Sequence, residues 1–351
     1  MLTEIEQAFG ENLILAGVPG PHLAGLLLRR EQDARPLWEL AHELRLAPDA
    51  ALAEARALAE AALAAAGPQA FSFSEGAMIG PWELLQQRGH GPGGDCWFAR
   101  LSTNTQQVAT VRLVPPGTGD DPGRHLRWVE RSNAGLEPPH PSILKVDEAE
   151  EDFGWLYAAT IGFDGHSLQA VRAQGPLPEQ SALALAQSLA AALAVVHDLG
   201  VVHGGVNPLG VLLAEQRTYL SDFGVSSTLL DGPLEGSRPG GRLGALLFSA
   251  PGLIQGDAAR GLDARDDLFS LGALVYWAVC RAAPGEPRAA PGGPWLFDPP
   301  VSAGFKGVLA RLLSPRSDGC YPTARAVQAD LARVAGGASP GGLPMPCCRR
   351  C

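Results

Sequence analysis

The chain has little positive charge and no long apolar run, and each absence excludes a class of protein. Its 27 lysines and arginines are outnumbered by 37 aspartates and glutamates, which gives a formal net charge of −10 at pH 7. A chain of this charge offers no basic face for nucleic acid or anionic lipid, so we expect neither as a partner. Its apolar runs are all shorter than the roughly 18 residues of a membrane-spanning helix. We therefore expect no membrane span.

Cysteine usage and the first residues indicate a cytoplasmic protein. The six cysteines are scattered or crowded at the end of the chain, which is not the spacing of a secreted disulfide framework. The acidic start, MLTEIEQAFG, lacks the basic segment of a signal peptide. The final cluster of Cys347, Cys348 and Cys351 has no second set of metal ligands and no prenylation signal. Residues 336–351 are predicted to form a flexible tail.

Hydrophobic periodicity divides the rest of the chain into a helical extension, residues 1–70, and a domain, residues 80–335. Short alternating strands begin near Pro81, and a helix is predicted over Gln180 to Leu199. Shorter strands follow around Val211 and Tyr219, and helices dominate from Asp267 to Val334. This order predicts an α+β fold, with a small β-rich lobe at about 80–163 and a large helical lobe at about 164–335. The extension is predicted either to dock a protein partner or to brace the main domain.

Two sequence blocks indicate a nucleotide site. Gly89-His90-Gly91-Pro92-Gly93-Gly94 is a glycine-rich turn between two predicted strands, and glycine lets a phosphate chain approach the backbone closely. Residues 201–224, VVHGGVNPLGVLLAEQRTYLSDFG, resemble the catalytic and magnesium loops of bacterial Ser/Thr protein kinases, H-R-D-L-K-P-x-N followed by D-F-G. Two further blocks, residues 244–252 and 267–272, resemble the family's activation-segment end and a long buried helix. The resemblance covers about residues 82–335.

This resemblance implies a two-lobed protein-kinase-like fold with ATP, bound weakly, and Mg²⁺ between the lobes. Ala109 and Leu212 would lie on the two sides of the adenine ring, and residues 161–163 would form the hinge. Asp222 has two interpretations, a magnesium ligand or a polar cleft residue without metal. His203 and Phe223 would stack, and Asp267 would bind the catalytic-loop backbone. The residues implied to bind nucleotide are Gly89, Gly91, Gly94, Cys96, Ala109, Thr160, Ile161, Phe163, Leu212 and Asp222.

Several positions that move phosphate in the family carry other residues here. The family's V-A-x-K lysine corresponds to Val111 in Val108-Ala109-Thr110-Val111, and strand alternation would then turn Arg112 away from the cleft. Ala245 replaces an activation-segment threonine, and an ion pair is lost at both ends, at Gly252 and Tyr321. In the catalytic loop, the family's arginine, aspartate, lysine and asparagine are replaced by Gly204, Gly205, Asn207 and Gly210.

These losses favour a catalytically inactive, kinase-like protein with no catalytic residue, a signalling scaffold or allosteric regulator. A protein partner would bind the helical extension or the activation-segment surface. Two alternatives stay open: a weakly active or atypical Ser/Thr kinase or nucleotide transferase that uses Arg112 as its cation, and a structural protein with a collapsed pocket. The direction of the Arg112 side chain discriminates between them, because an arginine within reach of Asp222 favours the enzyme.

Overall fold

Helices open the chain and are followed by two sheets and a second group of helices. The computed structural model describes residues 2–66, 73–91, 94–114, 140–214, 217–223, 243–254, 262–281, 289, 293–314 and 319–341. The helices of the extension are α1 Glu4–Leu15, α2 Gly20–Gln32, α3 Leu37–Glu43 and α4 Asp49–Ala66.

The Glu6 carboxylate links the first three helices. It accepts from the backbone N–H of Thr3, which completes a capping box at the start of α1. It also accepts from Arg30 Nε of α2 at 2.6 Å and from the backbone N–H of Leu37 of α3 at 3.1 Å. One buried acidic side chain therefore satisfies donors from three helices.

The small lobe is a six-stranded antiparallel sheet in the order β1-β2-β3-β4-β6-β5. One face of this sheet holds an apolar core that includes Trp82, Leu84, Trp97 and Val111. Side chains alternate between the faces of a strand, so the intervening residues point to the opposite face. The strands are β1 Met78–Ile79, β2 Trp82–Gly91, β3 Gly94–Leu101, β4 Asn104–Val114, β5 Glu148–Asp152 and β6 Trp155–Ile161.

The large lobe is mainly helical around a three-stranded sheet. Its sheet is β7 His166–Ser167, β8 Val211–Ala214 and β9 Arg217–Leu220, in that order. Its helices are α5 Leu168–Arg172, α6 Glu179–Asp198, α7 Leu243–Leu246, α8 Pro251–Ile254, α9 Ala264–Val279, α10 Ala303–Leu312 and α11 Ala324–Ala335. The α+β, two-lobed fold expected from the resemblance is confirmed.

Helix α6 is, within the described ranges, the one helix whose length and composition would allow it to cross a membrane. Half of its apolar window is buried inside the protein. Leu185, Leu189 and Leu193 belong to the core of the large lobe, so packing accounts for the apolar character of this helix.

The extension packs directly on the large lobe, and the two share one apolar core. Helices α1 and α2 contact the end of the activation segment and helix α9. A Cβ built on Gly20 would collide with the carbonyl oxygen of Leu247, and one on Gly25 would lie 3.1 Å from Phe297. Of the two interpretations of the extension, this packing favours the brace.

We expect Gly20→Ala to destabilise the protein by about 1–3 kcal/mol, because the added methyl has no room against the backbone at Leu247. Gly307→Ala is the matched control: its Cβ would make an ordinary contact with Pro340, and alanine stabilises a helix interior by about 0.5–1 kcal/mol relative to glycine. Urea denaturation followed by circular dichroism measures both. Equal stability of Gly20→Ala and the wild type would contradict this account of the interface.

Candidate nucleotide cleft

A narrow cleft lies between the lower face of the small-lobe sheet and the loops of the large lobe. Its upper wall comes from strands β3, β4 and β6, and its floor from the segment before and within β8 and from the residues after β9. The lining residues are Cys96, Thr110, Arg112, Val146, Ala158, Thr160, Leu209, Leu212, Ser221 and Asp222.

A buried ion pair joins the two lobes across this cleft. Arg112 Nε of strand β4 donates to Asp222 Oδ2 at 2.7 Å, and the side chains are 5% and 4% exposed. The same guanidinium donates through Nη1 to the carbonyl oxygens of Asp95 at 3.0 Å and Leu113 at 2.7 Å. The charge of Arg112 is therefore fixed in direction and lies beside the aspartate of the D-F-G block.

The expectation that Ala109 and Val111 face the cleft is wrong. Both side chains lie in the apolar core on the other face of the sheet, while Thr110 and Arg112 face the cleft. Strand β4 pairs with β6 in continuous register from Ala109 to Val114, so no bulge produces this arrangement. The alternation of apolar and polar residues along this strand could have predicted this arrangement, because the apolar residues are the ones that join the core.

The main chain holds Asp222 in position. Its φ is +65°, in the left-handed region that few residues other than glycine adopt. Ser221 Oγ lies 3.2 Å from Asp222 Oδ1 and donates to the carbonyl of Gly210 at 3.1 Å. A Cβ built on Gly210 would lie 2.7 Å from the Asp222 Cβ, so the position of the family's asparagine has no room for a side chain in this conformation.

The catalytic loop keeps its internal supports. The backbone N–H groups of His203 and Gly204 donate to the two carboxylate oxygens of Asp267, at 2.8 and 2.9 Å. The Asp267 contacts confirm the sequence expectation. The His203 ring lies 4.4 Å from the ring of Phe223, but the interplanar angle is 45°, so the two rings are in contact and tilted, not stacked as expected. Burial lowers the pKa of His203, so the imidazole is neutral and Nε2 donates to the carbonyl of Ser221 at 2.9 Å.

Gly204 and Gly205 take backbone conformations that suit glycine. Their φ angles are +80° and +130°. The side-chain oxygen of Asn207 then accepts from the backbone N–H groups of Leu209 and Gly210 and closes the next turn. The loop is thus built around its glycines, and an aspartate at position 205 would be strained.

The remaining predicted residues fall into three groups, and their role in binding stays a prediction. Cys96, Thr160 and Leu212 line the cleft with Asp222. Phe163 packs against the cluster of Cys96, Leu209 and Leu212, and its carbonyl accepts from Thr110 Oγ1 at 3.0 Å. The others lie around the rim: Ile161 is 39% exposed, Gly89 faces Ser167, and Gly91 and Gly94 pair with each other at the ends of β2 and β3.

Sequence reasoning missed Thr110, which occupies the cleft position expected for Ala109. In the family, a helix glutamate pairs with the sheet lysine, and the resemblance places this glutamate at Glu130. Glu130 lies outside the described residues, as does the cluster of Cys347, Cys348 and Cys351.

Three features together define a kinase-type domain. They are the two-lobed fold, the glycine-rich strand pair β2–β3 and the Asp222-Phe223 segment, which faces the Arg112 cation of strand β4. The family model described as "Protein kinase domain" matches residues 82–290, and the chain belongs to this family. The similarity to the crystal structure of the PknI kinase domain of Mycobacterium tuberculosis agrees in fold. That structure is 23% identical with a TM-score of 0.53, and the match covers 76% of this chain and 100% of that one.

The relatives that match this chain are named as serine/threonine-protein kinases. Serine/threonine-protein kinase PknE of Mycobacterium tuberculosis is 26% identical over 261 residues, 71% of this chain and 45% of that protein. Serine/threonine-protein kinase PknB of Mycobacterium leprae is 27% identical over 286 residues, 74% of this chain and 44% of that protein. The chain spans less than half the length of these relatives.

The expectation that the chain is not an enzyme is contradicted by these findings. The family match and the relatives named as Ser/Thr protein kinases point to an enzyme, at modest identity. The expectation rested on two sets of losses, the sheet cation and the functional side chains of the catalytic loop. Arg112 supplies a cation beside Asp222, and positions 204, 205 and 210 remain glycine.

We expect Arg112→Met to destabilise the protein by about 3–5 kcal/mol, because it leaves the Asp222 carboxylate buried without its partner. The double variant Arg112→Met/Asp222→Asn removes both charges and keeps a residue that tolerates the positive φ at 222. It should be more stable than Arg112→Met alone. Urea denaturation of the wild type and the variants gives the free energies of unfolding that this comparison needs.

The control is Arg100→Met, on strand β3 beside β4, which removes the partner of Glu83 in a partly exposed ion pair. It should lower the free energy of unfolding much less than Arg112→Met does. An Arg112→Met loss no larger than that of Arg100→Met would show that the cleft pair is not buried and coupled as described.

Proposed function

We propose that the chain is an atypical ATP-dependent Ser/Thr phosphotransferase that uses Arg112 as its phosphate-binding cation. The observation that carries this proposal is the Arg112–Asp222 pair, which joins a fixed positive charge and the D-F-G carboxylate in one cleft. The kinase family match and the names of the relatives support the same class of reaction.

Arginine suits this role because its guanidinium stays charged even when it is buried and can donate several hydrogen bonds to phosphate oxygens. Nη1 of Arg112 is held by two backbone carbonyls, and Nε is held by Asp222. Such restraints place the cation before substrate arrives, and they reduce the reorganisation needed during phosphate transfer.

Asp222 is the residue that would hold Mg²⁺. A carboxylate suits this ion, which commonly takes one or two protein carboxylates together with substrate phosphates and water. Gly210 offers no side-chain ligand, so Asp222 would be the protein ligand from these two positions. When bound, Mg²⁺ supplies positive charge that offsets the charge of the phosphates.

The proposed reaction transfers the γ-phosphoryl group of ATP to a serine or threonine hydroxyl of a protein. The hydroxyl oxygen forms a bond to the γ-phosphorus, the bond from this phosphorus to the β–γ bridging oxygen breaks, and ADP leaves. The hydroxyl proton passes to water, because position 205 is a glycine and has no side chain to accept it. Loss of a positioned base costs about 10²- to 10⁴-fold, so we expect turnover that far below the roughly 1–100 per second of typical kinases.

A cytoplasmic location is part of this proposal, because the six cysteines are not spaced like those of a secreted disulfide framework. A protein partner would bind the exposed faces of the extension, because its inner faces are packed on the large lobe.

Phosphate transfer tests the proposal. Purified protein with radiolabelled ATP, Mg²⁺ and a mixed library of serine- and threonine-containing peptides should show slow transfer. Asp222→Asn and Arg112→Ala should each reduce it to background, because one removes the carboxylate and the other the cation. Arg112→Lys should keep part of the activity, and Arg100→Ala, on the same strand pair but outside the cleft, should keep all of it. Transfer that persists in Asp222→Asn, or no transfer by the wild type at a sensitivity of about 10⁻⁴ per second, would refute the proposal.

A further inference from the structure

The cleft is almost closed in this conformation. The space enclosed by its lining residues is about 10 Å³, enough for a single water molecule and far too small for a nucleotide. Among the described lining residues, a nucleotide would find room if the strand pair β2–β3 moved away from the large lobe.

The strand pair β2–β3 packs closely against the large lobe. A Cβ built on Gly89 would collide with Ser167 Oγ and lie 2.9 Å from Leu209 Cδ2. Leu209 also belongs to an apolar cluster with Cys96 and Leu212. The backbone at Gly89 thus rests on side chains of the large lobe, at the entrance that phosphates would use.

Polar contacts of one residue, Arg88, join β2 to the segment after the hinge. Arg88 Nη2 donates to Asp164 Oδ1 and Nη1 lies against His166 Nε2, both at 2.9 Å. Ser167 Oγ donates to the Arg88 carbonyl at 2.9 Å. The Arg88 side chain is 12% exposed and covers the ring of Phe98. We call these contacts of Arg88 with Asp164, His166 and Ser167 the Arg88 latch.

We propose that the Arg88 latch holds the β2–β3 pair closed over the cleft, and that Arg88 is a positioning residue which controls entry of the nucleotide. The proposal rests on the proposed function for the identity of the ligand. The contrast with Arg100 supports it: Arg100 pairs with Glu83 inside the same strand pair, so this ion pair lies within the small lobe. The latch contacts instead connect residues 76 to 79 positions apart in the sequence.

A closed majority state lowers apparent affinity by the fraction of molecules that are open. Release of the latch should therefore increase affinity for ATP, which is the opposite of what loss of a nucleotide-binding arginine would do. If about one molecule in ten or fewer is open in the wild type, a fully opened variant gains about tenfold or more in affinity.

The test compares Arg88→Ala, Asp164→Asn and the control Arg100→Ala in two measurements. Amide hydrogen exchange without nucleotide reports opening of residues 82–101, and calorimetric titration with a non-hydrolysable ATP analogue and Mg²⁺ reports affinity. We expect both latch variants to show faster exchange in β2 and tighter binding. The gain should approach tenfold in Arg88→Ala and be smaller in Asp164→Asn, which removes one exposed contact. Arg88→Lys should give intermediate values, and Arg100→Ala should match the wild type. Asp164 is half exposed, so Asp164→Asn tests the latch even where Arg88→Ala impairs folding.

The outcomes separate this inference from the proposed function. Exchange and affinity that do not change in Arg88→Ala and Asp164→Asn would overturn the latch, even if the wild type transfers phosphate. Faster exchange with tighter binding would support the latch even if no variant transfers phosphate. If no variant binds the analogue, the proposed function falls, and hydrogen exchange alone decides for or against the latch.

Discussion

The buried ion pair between Arg112 and Asp222 is the interaction on which the arrangement of the cleft depends. Two charges at 2.7 Å with almost no solvent exposure are stable only as a pair, because either one alone would lack both water and a counter-charge. The pair joins strand β4 of the small lobe to the segment after β9 in the large lobe, where Asp222 has a positive φ. It also brings together the two kinds of charge that phosphate transfer needs.

The glycines of the catalytic loop follow from the same packing. Gly210 lets Asp222 approach the chain closely, and a side chain there would displace the aspartate from Arg112. Gly204 and Gly205 allow a backbone whose N–H groups reach Asp267 on helix α9. Substitutions that look like losses in an alignment therefore form a consistent local structure, in which asparagine and aspartate at the family positions would not fit without rearrangement.

The narrow cleft and the position of the extension both depend on glycines that let two elements pack closely. Gly89 brings β2 against Ser167 and Leu209, and Gly20 and Gly25 bring α2 against the large lobe. The first contact involves few residues, and two of the polar partners that support it, Asp164 and His166, are exposed. The second belongs to one extended apolar core. A small interface of the first kind opens more readily than a shared core, so motion is expected at the cleft and rigidity at the extension.

The order of elements and the α+β class could be predicted from sequence, because local periodicity and short motifs specify them. The same motifs predicted the contact of His203 with Phe223 and the Asp267 support of the loop. Alternation along β4 placed Thr110 and Arg112 on one face and Ala109 and Val111 on the other, and alignment to the family motif assigned the wrong face to the cleft. An arginine on a polar face can equally point to solvent. Only the tertiary structure decided that this face meets Asp222, because the choice depends on which side chains complete a core built from distant strands. The same holds for the closed cleft and the brace, whose contacts join residues far apart in the chain.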